Sequence, residues 1–94
     1  MSTLEEDQIM SALADLDGWR LDGDRIRREL SFDAFRDAIA FINRVADLAD
    51  EANHHPELRN SYTSVEVVLT THSDGGVTEK DLDLARKVNA VVDG

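Results

Sequence analysis

The chain has no cysteine, which excludes disulfides, thiolate metal sites and a cysteine nucleophile and removes any argument for an oxidising compartment. A cytoplasmic location is the expectation. Its one proline, Pro56, marks a single enforced break, because a proline pushes the residue before it, here His55, out of helical geometry. No apolar run approaches the roughly 20 residues that cross a bilayer. The stretch Met1 to Asp7 carries Glu5, Glu6 and Asp7 with neither a basic nor an apolar region, so it does not read as a signal peptide. Membrane association is not expected. Basic residues are also scarce: 10 against 20 acidic ones give a formal charge of −10. That charge opposes the counterion release which drives binding to phosphate backbones, so nucleic acid is not expected as a direct partner. A neutral small molecule meets no such barrier.

What is present describes a folding chain. Hydrophobic residues at 41% and charged residues at 32% are too apolar a mix for disorder, and 94 residues match one small domain, expected to span residues 1–94. Thr3 and Glu6 form a capping box pattern ahead of Ile9, Leu13 and Leu16, which predicts a helix from Leu4 to about Leu16. Trp19 and Leu21, a turn at Asp22-Gly23-Asp24, then Ile26 and Leu30 predict a short hairpin. Ser31 is placed to cap a second helix from Phe32, with Phe35, Ile39, Ile42, Val45, Ala46 and Ala49 on one apolar face. Leu58, Asn60 and Tyr62 alternate as a strand, and the β-branched run from Val65 to Thr71 predicts another. Trp19 and Tyr62 read as packing residues. Gly75-Gly76 breaks the chain before Thr78 and Asp81 open a last helix that turns Leu82, Ala85, Val88 and Val92 inward. The order α-β-β-α-β-β-α with short connections predicts an α+β fold, a four-stranded antiparallel sheet with its helices packed on one face.

All three histidines, His54, His55 and His72, fall within 19 consecutive positions. Imidazole titrates near neutrality, so such a cluster can hold one protonated and one neutral ring at once, as concerted acid and base catalysis requires. The bland alternative is a set of surface loop histidines. On the last strand His72 shares a side with Val68 and Thr70, opposite Val65, Val67, Leu69 and Thr71, which puts it at a rim that the loop from Asn53 to Pro56 can meet. Thr70, Thr71 and Ser73 offer hydroxyl or backbone groups there, although strand threonines ordinarily serve β-propensity. Asp81 has two readings: a cap for the last helix, or a carboxylate that orients a histidine or substrate. Asp50 likewise either orients His54 or simply ends the second helix. Three histidines and a carboxylate also raise a zinc or iron site. Against it, adjacent histidines diverge on extended backbone and no His-x-His or His-Glu-x-x-His spacing is present.

The spacing decides among these. Asp50, three residues, His54-His55-Pro56, five residues, Tyr62, nine residues, His72, eight residues, Asp81 resembles the signature of the pterin-4a-carbinolamine dehydratase family. Gly18-Trp19, the segment from Phe32 to Phe35, Thr71-His72 and Thr78-Glu79-Lys80-Asp81 are similar as well, so the resemblance covers nearly the whole chain. Leu58 departs from it, since many members carry an aromatic residue two positions after the proline. The resemblance implies dehydration of 4a-hydroxytetrahydropterin to quinonoid dihydropterin during tetrahydrobiopterin recycling, without metal or organic cofactor. Carried over by position, His54 and His72 are the acid and base and His55 binds substrate and assists protonation. Asn53, Pro56, Thr70, Thr71 and Ser73 are the candidate substrate contacts, with Asp50 and Asp81 in support. The resemblance also implies a homodimer or homotetramer, and it carries an alternative, a non-catalytic binding protein of the kind that stabilises dimers of a transcription factor in animals.

Overall fold

The computed structural model describes residues 3–93; Met1, Ser2 and Gly94, which the single-domain expectation included, lie outside it. Helix α1 (Glu6–Leu13) leads into strands β1 (Arg20–Asp22) and β2 (Arg25–Ser31), then helix α2 (Phe35–Ala52). Strands β3 (Glu57–Ser61) and β4 (Ser64–Leu69) follow, then a 3-10 turn (His72–Asp74) and helix α3 (Glu79–Asp93). The predicted α-β-β-α-β-β-α order and antiparallel four-stranded sheet are therefore what the chain forms, in the spatial order β1-β2-β4-β3. The longest pairing runs from Ile26 opposite Leu69 to Ser31 opposite Ser64, which puts β4 at the centre. Among the described residues no helix is long and apolar enough to cross a membrane.

Period-two alternation divides the sheet into an apolar and a charged face. Ile26, Val65, Val67 and Leu69 have no exposed surface and form the core with Val45 of α2 and Leu82, Ala85 and Val88 of α3. The opposite face carries Arg27 paired with Asp22 and Glu66, and Arg59 paired with Glu57. A polar tie joins the hairpin to α3: Trp19 Nε1 donates to Asn89 Oδ1 at 2.8 Å, and Arg28 donates to the same oxygen. Gly18, at φ +87°, makes room for it, since a Cβ there would stand 2.6 Å from Arg28 Nε.

Several boundaries differ from the sequence reading. β4 ends at Leu69 and not Thr71; Thr71 keeps only an isolated bridge to Gly76 and His72 opens a 3-10 turn, so the strand's alternation does not extend to His72. α1 begins at Glu6 and not Leu4, because the Leu4 amide bonds to the Val77 carbonyl at 2.9 Å and holds the chain extended there. Beyond Leu13 the chain proceeds to Leu16 through turns. α2 starts at Phe35 with Ala34 as its cap, because Ser31 is still paired with Ser64 and the Phe32 amide bonds to the Thr63 carbonyl. Its core stripe is consequently Ala38, Phe41, Val45 and Ala49. Of the predicted face, Ile42 packs only partly, Ala46 is exposed and Phe35 retains 46% of its surface. Tyr62 lies outside both the strand and the core: it occupies the β3–β4 turn at φ 52° with 73% exposure.

Leu69→Ala, a truncation at a fully buried position of β4, is expected to lower the unfolding free energy by about 2–5 kcal/mol. Lys87→Gln, on an exposed position of α3, is expected to change it by less than about 0.5 kcal/mol. Urea denaturation of the two variants measures the contrast.

Candidate active site

The end of α2 sets the first half of the site. Asn53 adopts the left-handed conformation, φ 51° and ψ 43°, which asparagine tolerates better than most residues. Its amide bonds to the Asp50 carbonyl at 3.2 Å and the His54 amide to the Ala49 carbonyl at 3.0 Å. This is the double bond of a Schellman motif, which satisfies the last carbonyls of the helix and reverses the chain. Pro56 then prevents any return to helix. The reversal carries the His54 ring inward, to 12% side-chain exposure, while His55 keeps 61%.

The second half is the start of α3. Thr78 N–H donates to Asp81 Oδ2 at 2.9 Å, the Thr71 hydroxyl donates to the same oxygen at 2.8 Å, and Asp81 Oδ1 lies 2.5 Å from His54 Nε2. The Asp81 side chain has no exposed surface, so these three donors stand in for the water it has lost. With its proton given to Asp81, Thr71 accepts from the Thr78 hydroxyl at 2.8 Å, and Thr78 in turn accepts the Lys80 amide at 3.2 Å. Every proton in the chain has one direction. Both readings of Asp81 are thus true at once, one oxygen capping the helix and the other holding the imidazole. Because a carboxylate only accepts, the proton between them belongs to Nε2, which leaves Nδ1 of neutral His54 as the ring's lone-pair nitrogen.

The remaining candidates are distributed around this pair. Asp50 does not hold His54; its Oδ1 lies 2.9 Å from His55 Nε2, in an exposed pair. Thr71 is buried at 3% exposure with its hydroxyl committed to Asp81 and Thr78. The Thr70 hydroxyl is committed too, donating to the Asp24 carbonyl at 2.6 Å. Ser73 and Asn53 are exposed and Pro56 is half-buried. His72 opens the 3-10 turn directly after Thr71 and is exposed. Its segment is joined to His54 through Asp81 and Thr71. A cavity of about 390 Å³ lies beside that turn, lined in part by Leu4, Leu21, Asp24, Gly75 and Val77, and none of the three histidines lines it. Among the described residues, no group of three or more His, Asp or Glu side chains is arranged to hold a metal ion. Sequence reasoning gave Thr78 only a capping role and Asp24 only a place in the hairpin turn; no sequence signal links Asp24 to Thr70, 46 positions away.

The α+β domain thus directs a buried carboxylate at the His54 imidazole. Comparison with known proteins places the chain in a family. The family model described as pterin 4 alpha carbinolamine dehydratase matches residues 2–91, and the chain belongs to that family. A Thermomicrobium roseum protein is 48% identical over 94% of this chain and 95% of its own length. One from Mycobacteroides abscessus is 45% identical over 98% of each. Both bear the name pterin-4-alpha-carbinolamine dehydratase on a provisional footing. The crystal structure of a transcriptional coactivator/pterin dehydratase from Brucella melitensis superposes with a TM-score of 0.90 at 44% identity, covering 95% of this chain and 97% of that one. A pterin dehydratase-like RuBisCO assembly factor of the alpha-carboxysome superposes at 0.66 with 25% identity, covering 78% and 87%.

Asp81→Asn tests the tautomer assignment. Thr78 N–H can only donate, so the asparagine oxygen stays on it and the amide NH2 turns to His54 Nε2, which must then accept. The His54 proton is expected to move to Nδ1, visible in the ring 15N shifts; a ring still protonated on Nε2 would show that Asp81 does not set it.

Proposed function

We propose that the chain dehydrates 4a-hydroxytetrahydropterin to quinonoid dihydropterin by histidine acid and base catalysis, in the recycling of tetrahydrobiopterin. The observation that carries this reading is the His54 Nε2 to Asp81 Oδ1 contact at 2.5 Å on a fully buried carboxylate. The reaction breaks the C4a–O bond, with a proton supplied so that the hydroxyl leaves as water, and removes the N5 proton so that its electron pair forms the C4a=N5 bond. One acid and one base complete it, without an electron acceptor. His54, with Nδ1 available and Nε2 held by Asp81, takes one of these roles; His72 takes the other. His55, exposed and steadied by Asp50, binds the substrate and assists protonation. Asn53, Pro56 and Ser73 contact the pterin through exposed groups, whereas Thr70 and Thr71, with committed hydroxyls, shape the wall. The cytoplasm is the proposed location for a chain without cysteine.

We also propose a homodimer or homotetramer. Phe35 and Tyr62 stack in the open with ring centroids 6.4 Å apart, and β3 is an edge strand. Apolar surface and unpaired strand edges of this kind are ordinarily covered. The same exposed rings favour a second reading, a binding protein, in keeping with the coactivator and assembly-factor roles by which the two structural neighbours are described.

Turnover of 4a-hydroxytetrahydropterin separates the readings. His54→Ala and His72→Ala are expected to lose roughly 10²- to 10⁴-fold in catalysed rate, with a smaller loss for His55→Ala. Equal rates in all three variants and the parent would refute the site, and partner capture without any turnover would favour the binding role. Light scattering at micromolar concentration is expected to give an oligomer; a monomer throughout would contradict the association.

A further inference from the structure

We propose that Arg25 is a positioning residue of this site: held between Asp24 and Glu57, it ties the β1–β2 turn to the start of β3 across β4 and so fixes how the His72 turn faces the His-His-Pro turn. Its effect on turnover rests on the dehydratase reading; its effect on geometry does not.

Arg25 Nε donates to Asp24 Oδ1 at 3.0 Å, and Arg25 Nη1 stands 3.9 Å from Glu57 Oε1. β2 and β3 do not pair with each other; each pairs with β4. The guanidinium therefore reaches over an intervening strand, a crossing of about 10 Å between strand axes, which needs an arginine's length. Both ends of the tie adjoin the histidine segments. Glu57 follows His54-His55-Pro56 directly and pairs with Val68. At the other end the Thr70 hydroxyl bonds to the Asp24 carbonyl at 2.6 Å, which pins the turn to the strand end two residues before His72.

Charge follows the same path. Arg25, by hydrogen bond and then by charge, holds the Asp24 carboxyl below the usual carboxylate range, and a charged His72 acts in the same direction. The Glu57 carboxyl is also held low, chiefly by Arg59 and further by Arg25 and Arg27. Side-chain exposures of 31% for Arg25, 59% for Asp24 and 46% for Glu57 make these surface pairs, which contribute little to stability. What the tie supplies is placement.

The test uses the intact chain with Arg25→Met, Arg25→Lys, Glu57→Gln and the Arg25→Met/Glu57→Gln double variant. Glu57→Gln breaks the far end of the tie and leaves the charges next to His72 unchanged. It and Arg25→Met are both expected to move the His72 ring resonances in NMR, while the His54 ring, held by Asp81, stays in place and the melting temperature is unchanged. In turnover of 4a-hydroxytetrahydropterin, Arg25→Met is expected to lower kcat roughly tenfold to a hundredfold. Arg25→Lys is expected to recover part of that loss, and the double variant to be no worse than Arg25→Met. His72 resonances that do not move in Glu57→Gln, losses that multiply in the double variant, or full kcat in Arg25→Met would each overturn the proposal. A parent chain with no turnover would instead remove the dehydratase reading and leave the resonances to decide the positioning.

Discussion

The Asp81 carboxylate is where the fold and the site become one object. A carboxylate with no exposed surface survives in a protein interior only when donors replace its hydration. Those donors come from three separated stretches: an amide at the start of α3, a hydroxyl at the end of β4, and an imidazole beyond the end of α2. Removing any one of them leaves the others facing an under-satisfied charge. The helix start, the strand end and the histidine loop therefore all meet at this one side chain.

That register is prepared by backbone chemistry. The reversal at Asn53 and the bridge between Thr71 and Gly76 bring two turns to the same end of the sheet before any side chain is considered. The hydroxyl relay from Thr78 through Thr71 to Asp81 then supplies direction. Each hydroxyl has one proton, and giving it forward obliges the group to accept from behind. A ring held by such a relay has its tautomer chosen by the scaffold. The exposed His55 pair with Asp50 has no relay of this kind behind it.

Much of this was legible in the sequence where a local rule had no rival. The β-branched run from Val65, the turn at Gly23 and the break before Pro56 gave the element order, and the Thr78 to Asp81 spacing marked the start of α3. Boundaries set by long-range bonds were not legible: Leu4 is kept extended by Val77 and Phe32 by Thr63, partners more than 30 positions away. The slip at Phe32 rotated the expected face of α2, since the ring of Phe32 packs on Phe41 with centroids 5.2 Å apart and leaves Phe35 to the outside. In the site, the histidine spacing drew attention to these segments, but no spacing rule distributes Asp50 to His55 and Asp81 to His54. That pairing depends on how far the chain turns after α2.

Tyr62 shows what the outer surface of α2 inherits from the hairpin. A tyrosine in the left-handed region costs about 1–2 kcal/mol more than a glycine would, and the Asn60 amide spans the bend, donating to the carbonyls of Tyr62 and Ser64 at 3.0 Å each. The ring so displayed lies nearly parallel to that of Phe35, at 15°. The aromatic ledge beside α2 is therefore half helix and half hairpin tip. Its tilt is dictated by the pairing of β3 with β4, and anything that settles on this ledge senses the strand register from outside the molecule.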